Sequence, residues 1–162
     1  MTLRGATEVT VSRLSAIVSV TPNLAATATL AIETHGPGFS EFTREAARFI
    51  ADAGAQDGVL YMFLRHTSAS LVIQENADPD VQTDLVTALE RLAPADAGWV
   101  HDTEGPDDMP AHVKSMVTGV SLHVPVIGAR LALGTWQGIY LAEHRAQPHR
   151  REVVLQFIGT RR

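Results

Sequence analysis

Six consecutive apolar residues, Val59–Leu64 (VLYMFL), place the strongest constraint on how this chain can fold. Side chains alternate between the two faces of a strand, so a run that is apolar at every position predicts a central strand buried on both faces. The other strand-like segments are patterned differently. Ser68–Gln74 alternates, with Ala69, Leu71 and Ile73 toward a core. His66, Ser68, Ser70 and Gln74 share the opposite face if that strand is continuous. Ala26–Thr34, Ser121–Ile127, Arg130–Thr135, Gly138–His144 and Glu152–Ile158 read as further strands between glycine or proline turns, His35–Gly38 among them.

Three helices interrupt the strands. Ser40 offers an N-cap hydroxyl ahead of the stripe Phe42, Ala46, Phe49 and Ile50, which Gly54 ends. Asp78-Pro79 opens a second helix with Val81, Leu85, Leu89 and Leu92 on one face. A short third helix runs from about Pro110 to Val117, with Asp107 and Asp108 in capping positions and Gly119 as its stop. Strands and helices do not alternate as regular βα units. The expected class is therefore α+β: a single compact domain of mixed or antiparallel sheets, with two longer helices and one short one.

The 162 residues are 45% apolar, enough to build one core without a staple and too much for a disordered chain. With no cysteine, disulfides, thiolate metal sites and thiol nucleophiles are excluded together. The net charge of −5 argues against a nucleic-acid partner, because phosphate neutralisation needs a basic face. No window approaches the roughly 20 apolar residues of a membrane span. Residues 1–25 read as a loose leader that breaks near Pro22-Asn23, ahead of a domain over 26–162. Glu8 and scattered threonines interrupt any signal-like apolar stretch, so a cytoplasmic location is expected.

Polar chemistry is clumped into three tracts. In the first, His66 and Ser68 stand two apart on a strand, too far for a hydrogen-bonded nucleophile pair, and no G-x-S-x-G elbow is present. Thr67 and Ser68 read instead as donors to an anion, or as a strand edge of small polar residues. If the strand runs to Glu75, that carboxylate lies with Leu71 and Ile73, where a charge needs a partner or a metal. In the second tract His101 and His112 flank an acid-rich loop. Imidazoles from separate segments can meet at one divalent ion, with His66 as a candidate third ligand. The acids lack the spacing of a calcium loop. In the third tract Trp136, between Gly134 and Gly138, can stack on a ring or fill the core. Arg145, Arg150 and Arg151, with His144 and His149, form a basic cluster that suits phosphate or a solvated hairpin. Lys114 is the one lysine among thirteen lysines and arginines.

Taken together, His66-Thr-Ser-Ala-Ser70, Glu75-Asn76, His101-Asp…Glu-Gly-x-Asp-Asp-Met-Pro-x-His112-x-Lys114 and Gly134-Thr-Trp-Gln-Gly-Ile-Tyr-Leu-x-Glu143-His-Arg145 resemble the YjbQ family, also called the secondary thiamine-phosphate synthase enzyme family. The resemblance covers about residues 26–160. It implies an α+β domain assembled as a homotrimer and a histidine-bearing site that takes a metal or an anion. It also implies a weak activity that joins a pyrimidine-methyl diphosphate to a thiazole phosphate and expels diphosphate. On this reading Glu75, His101 and His112 are the expected catalytic residues, and His66, His101 and His112 the expected metal ligands. Thr67, Ser68, Lys114, Trp136, Gln137 and Arg145 are the expected contacts to a small phosphorylated molecule, while Arg150 and Arg151 stay open. An ion held by Glu75 or by Asp107 and Asp108 would help to neutralise the departing diphosphate. Imidazole donors favour Zn²⁺ and phosphate chemistry favours Mg²⁺. Two other readings are a non-catalytic metal- or anion-binding trimer and a metal-dependent phosphoester hydrolase.

Overall fold

The computed structural model describes residues 14–162. Leader residues 1–13 lie outside the described residues, 14–23 carry no regular structure, and the first strand already begins at Leu24. In chain order the elements are β1 (Leu24–Thr34), β2 (Gly38–Glu41), α1 (Thr43–Asp52), β3 (Ala55–Leu64), β4 (Ala69–Glu75), α2 (Pro79–Leu92), α3 (Asp108–Thr118), β5 (Ser121–Ile127), β6 (Arg130–Leu131), β7 (Gln137–Glu143) and β8 (His149–Arg161). A five-stranded sheet has the order β1-β8-β3-β5-β6, and a three-stranded sheet the order β2-β7-β4. Every pairing is antiparallel. The fold is the expected single α+β domain, although α3, at 11 residues, is no shorter than α1 at 10. No helix among the described residues is long and apolar enough to cross a membrane.

Alternation decides what each strand buries. Along β8, Arg151, Val153, Leu155 and Phe157 point inward while Arg150, Gln156 and Ile158 point out. Leu60, Met62 and Leu64 of β3 join them, with Leu71 of β4, Ile139 and Leu141 of β7 and Ile50 of α1, in one core that draws on both sheets. The central position of β3 was expected, but burial of both its faces was not met: Tyr61 is 45% and Phe63 51% exposed. The run is apolar at every position, yet no helix among the described residues covers the outer face of β3.

Two further expectations change for local reasons. Ser40 caps no helix, because Gly38–Glu41 pairs with β7 and draws it into a strand. The strand through Ser68 is not continuous either. It begins at Ala69, and residues 65–68 form a bend after β3. Asp78 does cap α2, its Oδ1 accepting the Asp80 N–H at 2.9 Å.

The β4–β7 register fixes where the polar tracts go. Ala69 lies opposite Glu143 and Glu75 opposite Gln137. At about 3.3 Å per residue, the two ends of this pair are roughly 20 Å apart. His66, Thr67 and Ser68 therefore meet Glu143, His144 and Arg145, while Glu75 meets Trp136 and Gln137 at the other end. Helix α3 packs beside the start of β4: the Ser115 hydroxyl donates to the Ala69 carbonyl at 2.9 Å, and the Leu71 N–H donates to the Gly119 carbonyl at 3.0 Å.

Candidate metal and anion site

Helix α3 supplies Asp108 and His112, four residues apart and so on one helical face. The polar stretch before it brings His101 alongside. His101 Nε2 lies 2.8 Å from Asp108 Oδ2, and His112 Nε2 lies 3.4 Å from the same oxygen. One ligand atom from each of the three residues falls within 4.8 Å of the others, as a shared cation requires. The donors suit a divalent ion. Nδ1 of His112 meets the Thr67 carbonyl at 2.9 Å, and a carbonyl only accepts, so the ring carries its proton there and presents a bare Nε2. Asp108 is 1% exposed; its Oδ1 accepts from Arg145 Nη1, which leaves Oδ2 to face both imidazoles. Two imidazoles and one carboxylate suit Zn²⁺ or another transition ion better than Mg²⁺.

Arg145 holds this region together. Besides Asp108, its Nε donates to Asp107 Oδ2 at 3.1 Å and its Nη2 to the Glu104 carbonyl at 2.7 Å. The Ala146 N–H also donates to Asp107 Oδ2 at 2.8 Å. Burial by itself would raise the Asp107 carboxyl, but the Ala146 amide and the Arg145 guanidinium outweigh it and hold the group below its ordinary value.

Behind the 65–68 bend lies a second, deeper pair. Arg151, 1% exposed, donates to Glu143 through Nε and Nη2, both at 2.7 Å. Glu143 also accepts from the Thr34 hydroxyl at 2.7 Å and from the His144 and Arg145 N–H groups at 3.0 Å. Burial opposes its charge, yet these donors, Arg151 foremost, keep the carboxyl below its usual value. His144 is buried against Ser70 Oγ. Burial first and the Lys114 ammonium second push its pKa down to about 4. Among the described residues, no buried side-chain nitrogen or oxygen lacks a hydrogen-bond partner.

A groove of about 730 Å³ opens beside the trio, lined by Phe63, Leu64, Met116 and Val120 and by the polar residues His66, Thr67 and His112. An anion at the imidazoles would thus have an apolar wall next to it.

The expected site residues separate into three groups. His101 and His112 come together as anticipated, but Asp108 stands with them where His66 was expected. The Nδ1 of His66 is instead engaged by Ser68, at 3.2 Å from its N–H and 3.1 Å from its Oγ. The bend thus closes a His66–Ser68 contact that a straight strand could not make. Thr67 serves His112 through its carbonyl. Ser68, Lys114 and Arg145 are buried and already bonded: Ser68 to Arg151, Lys114 to Glu90, and Arg145 to the acids at the start of α3. Glu75, Trp136 and Gln137 sit at the far end of the β4–β7 pair, Trp136 63% exposed. The anticipated basic cluster does not stay together as one surface feature. Arg151 and Arg145 are buried in ion pairs, and Arg150 lies outside against Glu33 at 3.4 Å. The sequence did carry a signal for Asp108, since Asp108-x-x-x-His112 is a one-turn helical spacing. Nothing local marks Arg151 or Glu143 as a buried pair.

Residues 28–160 match the family model described as UPF0047 protein YjbQ-like. The chain is 48% identical over 131 residues to UPF0047 protein sll1880 of Synechocystis sp., covering 80% of this chain and 89% of that protein. It is 41% identical over 132 residues to UPF0047 protein YjbQ of Escherichia coli O157:H7, covering 81% and 96%. Among solved structures, an uncharacterised conserved protein of the yjbq/upf0047 family from Clostridium acetobutylicum superposes with a TM-score of 0.75 at 32% identity, covering 80% of this chain and 98% of that one. Hypothetical protein APE1520 from Aeropyrum pernix K1 does so at 0.77 and 28% identity, covering 83% and 98%. Motifs, fold and relatives agree: the chain belongs to the UPF0047/YjbQ-like family.

Proposed function

We propose that this protein is a metal-dependent enzyme acting on a small phosphorylated molecule at the His101–Asp108–His112 trio. The convergence of those three side chains beside an apolar groove carries the reading. Lys114 and Arg145 are committed to Glu90, Asp107 and Asp108, so a phosphate arriving here meets imidazoles rather than a free cationic side chain of those two residues. A bound divalent ion would supply the missing charge neutralisation to a phosphoryl or diphosphate oxygen. His112 and Asp108 would hold the ion from α3 and His101 from the preceding stretch. The groove would receive the uncharged part of the substrate against Phe63, Leu64 and Val120.

The family resemblance names a specific activity: joining a pyrimidine-methyl diphosphate to a thiazole phosphate with loss of diphosphate. A second reading, metal-dependent phosphoester hydrolysis, is favoured by the donor set, since two histidines and a carboxylate are ligands for zinc-type hydrolytic chemistry. A third is tight metal or anion binding without turnover. We place the protein in the cytoplasm, as its cysteine-free composition suits. We also infer a homotrimer, supported by the exposed Tyr61, Phe63 and Ile158 on the outer face of the five-stranded sheet. Phe63 belongs both to that face and to the groove, so a neighbouring copy would help to wall the site.

The test is calorimetric titration of the purified chain with Zn²⁺, Mn²⁺ and Mg²⁺, followed by assay of the metal-loaded protein. The assays are the two-precursor coupling reaction and a panel of phosphoesters. We expect Zn²⁺ or Mn²⁺ binding that His101→Ala and His112→Ala abolish, and turnover that falls with it. Binding without turnover of any of these substrates would favour the non-catalytic reading. Absence of metal binding, or variants as active as the wild type, would overturn the assignment. Light scattering decides the oligomer, and a monomer mass would refute the trimer.

A further inference from the structure

We infer that His66 serves the site as an Nε2–H hydrogen-bond donor to a substrate oxygen, not as a metal ligand, and that Ser68 and Arg151 are positioning residues that fix this tautomer. The inference rests on the reading of the trio as a phosphate-binding metal site, and the donors and acceptors around one bend carry it.

Arginine has only donors. Arg151, buried to 1% exposure and bonded through Nε and Nη2 to Glu143, also directs Nη2 at Ser68 Oγ, 3.2 Å away. Ser68 Oγ therefore accepts from Arg151, and its own hydrogen is free to donate to His66 Nδ1 at 3.1 Å. The backbone N–H of Ser68, which can only donate, reaches the same Nδ1 at 3.2 Å. Nδ1 must then present its lone pair, and the ring proton of the neutral imidazole sits on Nε2. With Nδ1 engaged by Ser68, Nε2–H is the polar group that this exposed, groove-lining ring has left to offer.

The next residue of the bend acts in the opposite sense. The Thr67 carbonyl accepts a hydrogen bond from His112 Nδ1–H and leaves that ring a bare Nε2 for a cation. Thr67 and Ser68, adjacent in sequence, thus set two imidazoles to opposite tautomers, one a ligand and one a donor. A second proton on His66 would set Nδ1–H against the Ser68 N–H. Burial first, and then the nearby Arg151 charge, hold the His66 pKa below its ordinary value, in the same direction as the geometry. A neutral imidazole N–H beside a metal-held oxygen is an arrangement that stabilises charge developing on a phosphoryl oxygen.

Nitrogen-15 spectra of the labelled full-length chain report the tautomer directly. We expect His66 as the Nε2–H form and His112 as the Nδ1–H form before metal is added, with Ser68→Ala moving the two His66 ring nitrogens toward the averaged values of a mixed tautomer. Inorganic phosphate is then titrated into Zn²⁺-loaded wild type, His66→Gln and His66→Leu. Losing a hydrogen bond to a charged oxygen should weaken phosphate binding by roughly 10- to 100-fold in His66→Leu. His66→Gln, which keeps an N–H donor, should lose much less, and zinc affinity should hold in both variants. A His66 Nδ1–H tautomer, unchanged His66 shifts in Ser68→Ala, phosphate affinity unaltered in His66→Leu, or zinc affinity lost with His66 would each overturn the inference. If wild type binds no zinc, the metal reading fails separately, and the tautomer spectra and a metal-free phosphate titration still judge His66.

Discussion

Replacing Glu143 by glutamine tests how the buried polar layer is held. The carboxylate accepts two bonds from Arg151, one from the Thr34 hydroxyl and two from the His144 and Arg145 amides, all between 2.7 and 3.0 Å. Glutamine keeps one acceptor oxygen, but its NH₂ would face Arg151 Nε in one orientation, or Arg151 Nη2 and the two amides in the other, donor against donor. More costly still, Arg151 would remain a buried cation with no counter-charge, because Ser68 is its one other side-chain partner among the described residues. Removing one member of a buried ion pair costs about 3–5 kcal/mol, whereas replacing both by apolar groups of similar volume is often close to neutral. Glu143→Gln should therefore lose about 3–5 kcal/mol in urea unfolding and Arg151→Met a similar amount. The double variant Glu143→Leu/Arg151→Met should lose clearly less than Glu143→Leu and Arg151→Met summed. A loss below about 1 kcal/mol in Glu143→Gln, or strict additivity in the cycle, would refute the view that this pair is charged and dry.

Acid should destabilise the fold through His144. Its folded pKa of about 4 lies below the ordinary 6.5, so the unfolded chain binds the extra proton and stability falls as pH drops through that window. From pH 7 to pH 5 the loss is about 2 kcal/mol, with His66 adding in the same direction, and a His144→Gln variant should show a shallower slope in urea midpoints. Asp108→Asn should weaken zinc binding by at least about 100-fold in calorimetry, because a ligand matters more than outer partners whose loss costs 10–100-fold. Gly159→Ala should lower the melting temperature: a Cβ there would meet the Asp57 carbonyl oxygen at 2.2 Å and Gly58 Cα at 2.7 Å, at a cost of about 1–3 kcal/mol or more. An unchanged melt would show that the β3–β8 pair, whose register shifts between Ala55 and Gly58, yields freely there.

Much of the fold was legible along the chain because strand and helix patterns are local. The turn at Gly128, the proline start of α2 and the glycine stop of α3 fell where expected. Where local signals competed with pairing, pairing won. Ser40 had the chemistry of a cap and became part of β2. Ser68 fitted the alternation of β4 and became part of a bend, and that bend is what sets His66 against Ser68. Of the site, the histidines at 101 and 112 were legible as a pair around an acidic loop. Lys114 and Arg145 read as free phosphate ligands because a sequence displays charge without displaying its partner.

The sequence by itself determined one α+β domain of mixed or antiparallel sheets, most of its strand and helix positions though not β2, the family it resembles, and the presence of three polar tracts. Only the tertiary structure decided which tracts meet. The β4–β7 register sent Glu75, Trp136 and Gln137 to one end and the histidines to the other. Packing of α2, α3 and β8 around that pair set Arg145 against Asp107 and Asp108, Lys114 against Glu90, and Arg151 against Glu143. The physical reason is that periodicity says which face a side chain takes, whereas its neighbour across that face comes from residues tens of positions away, brought there by strand register and helix packing.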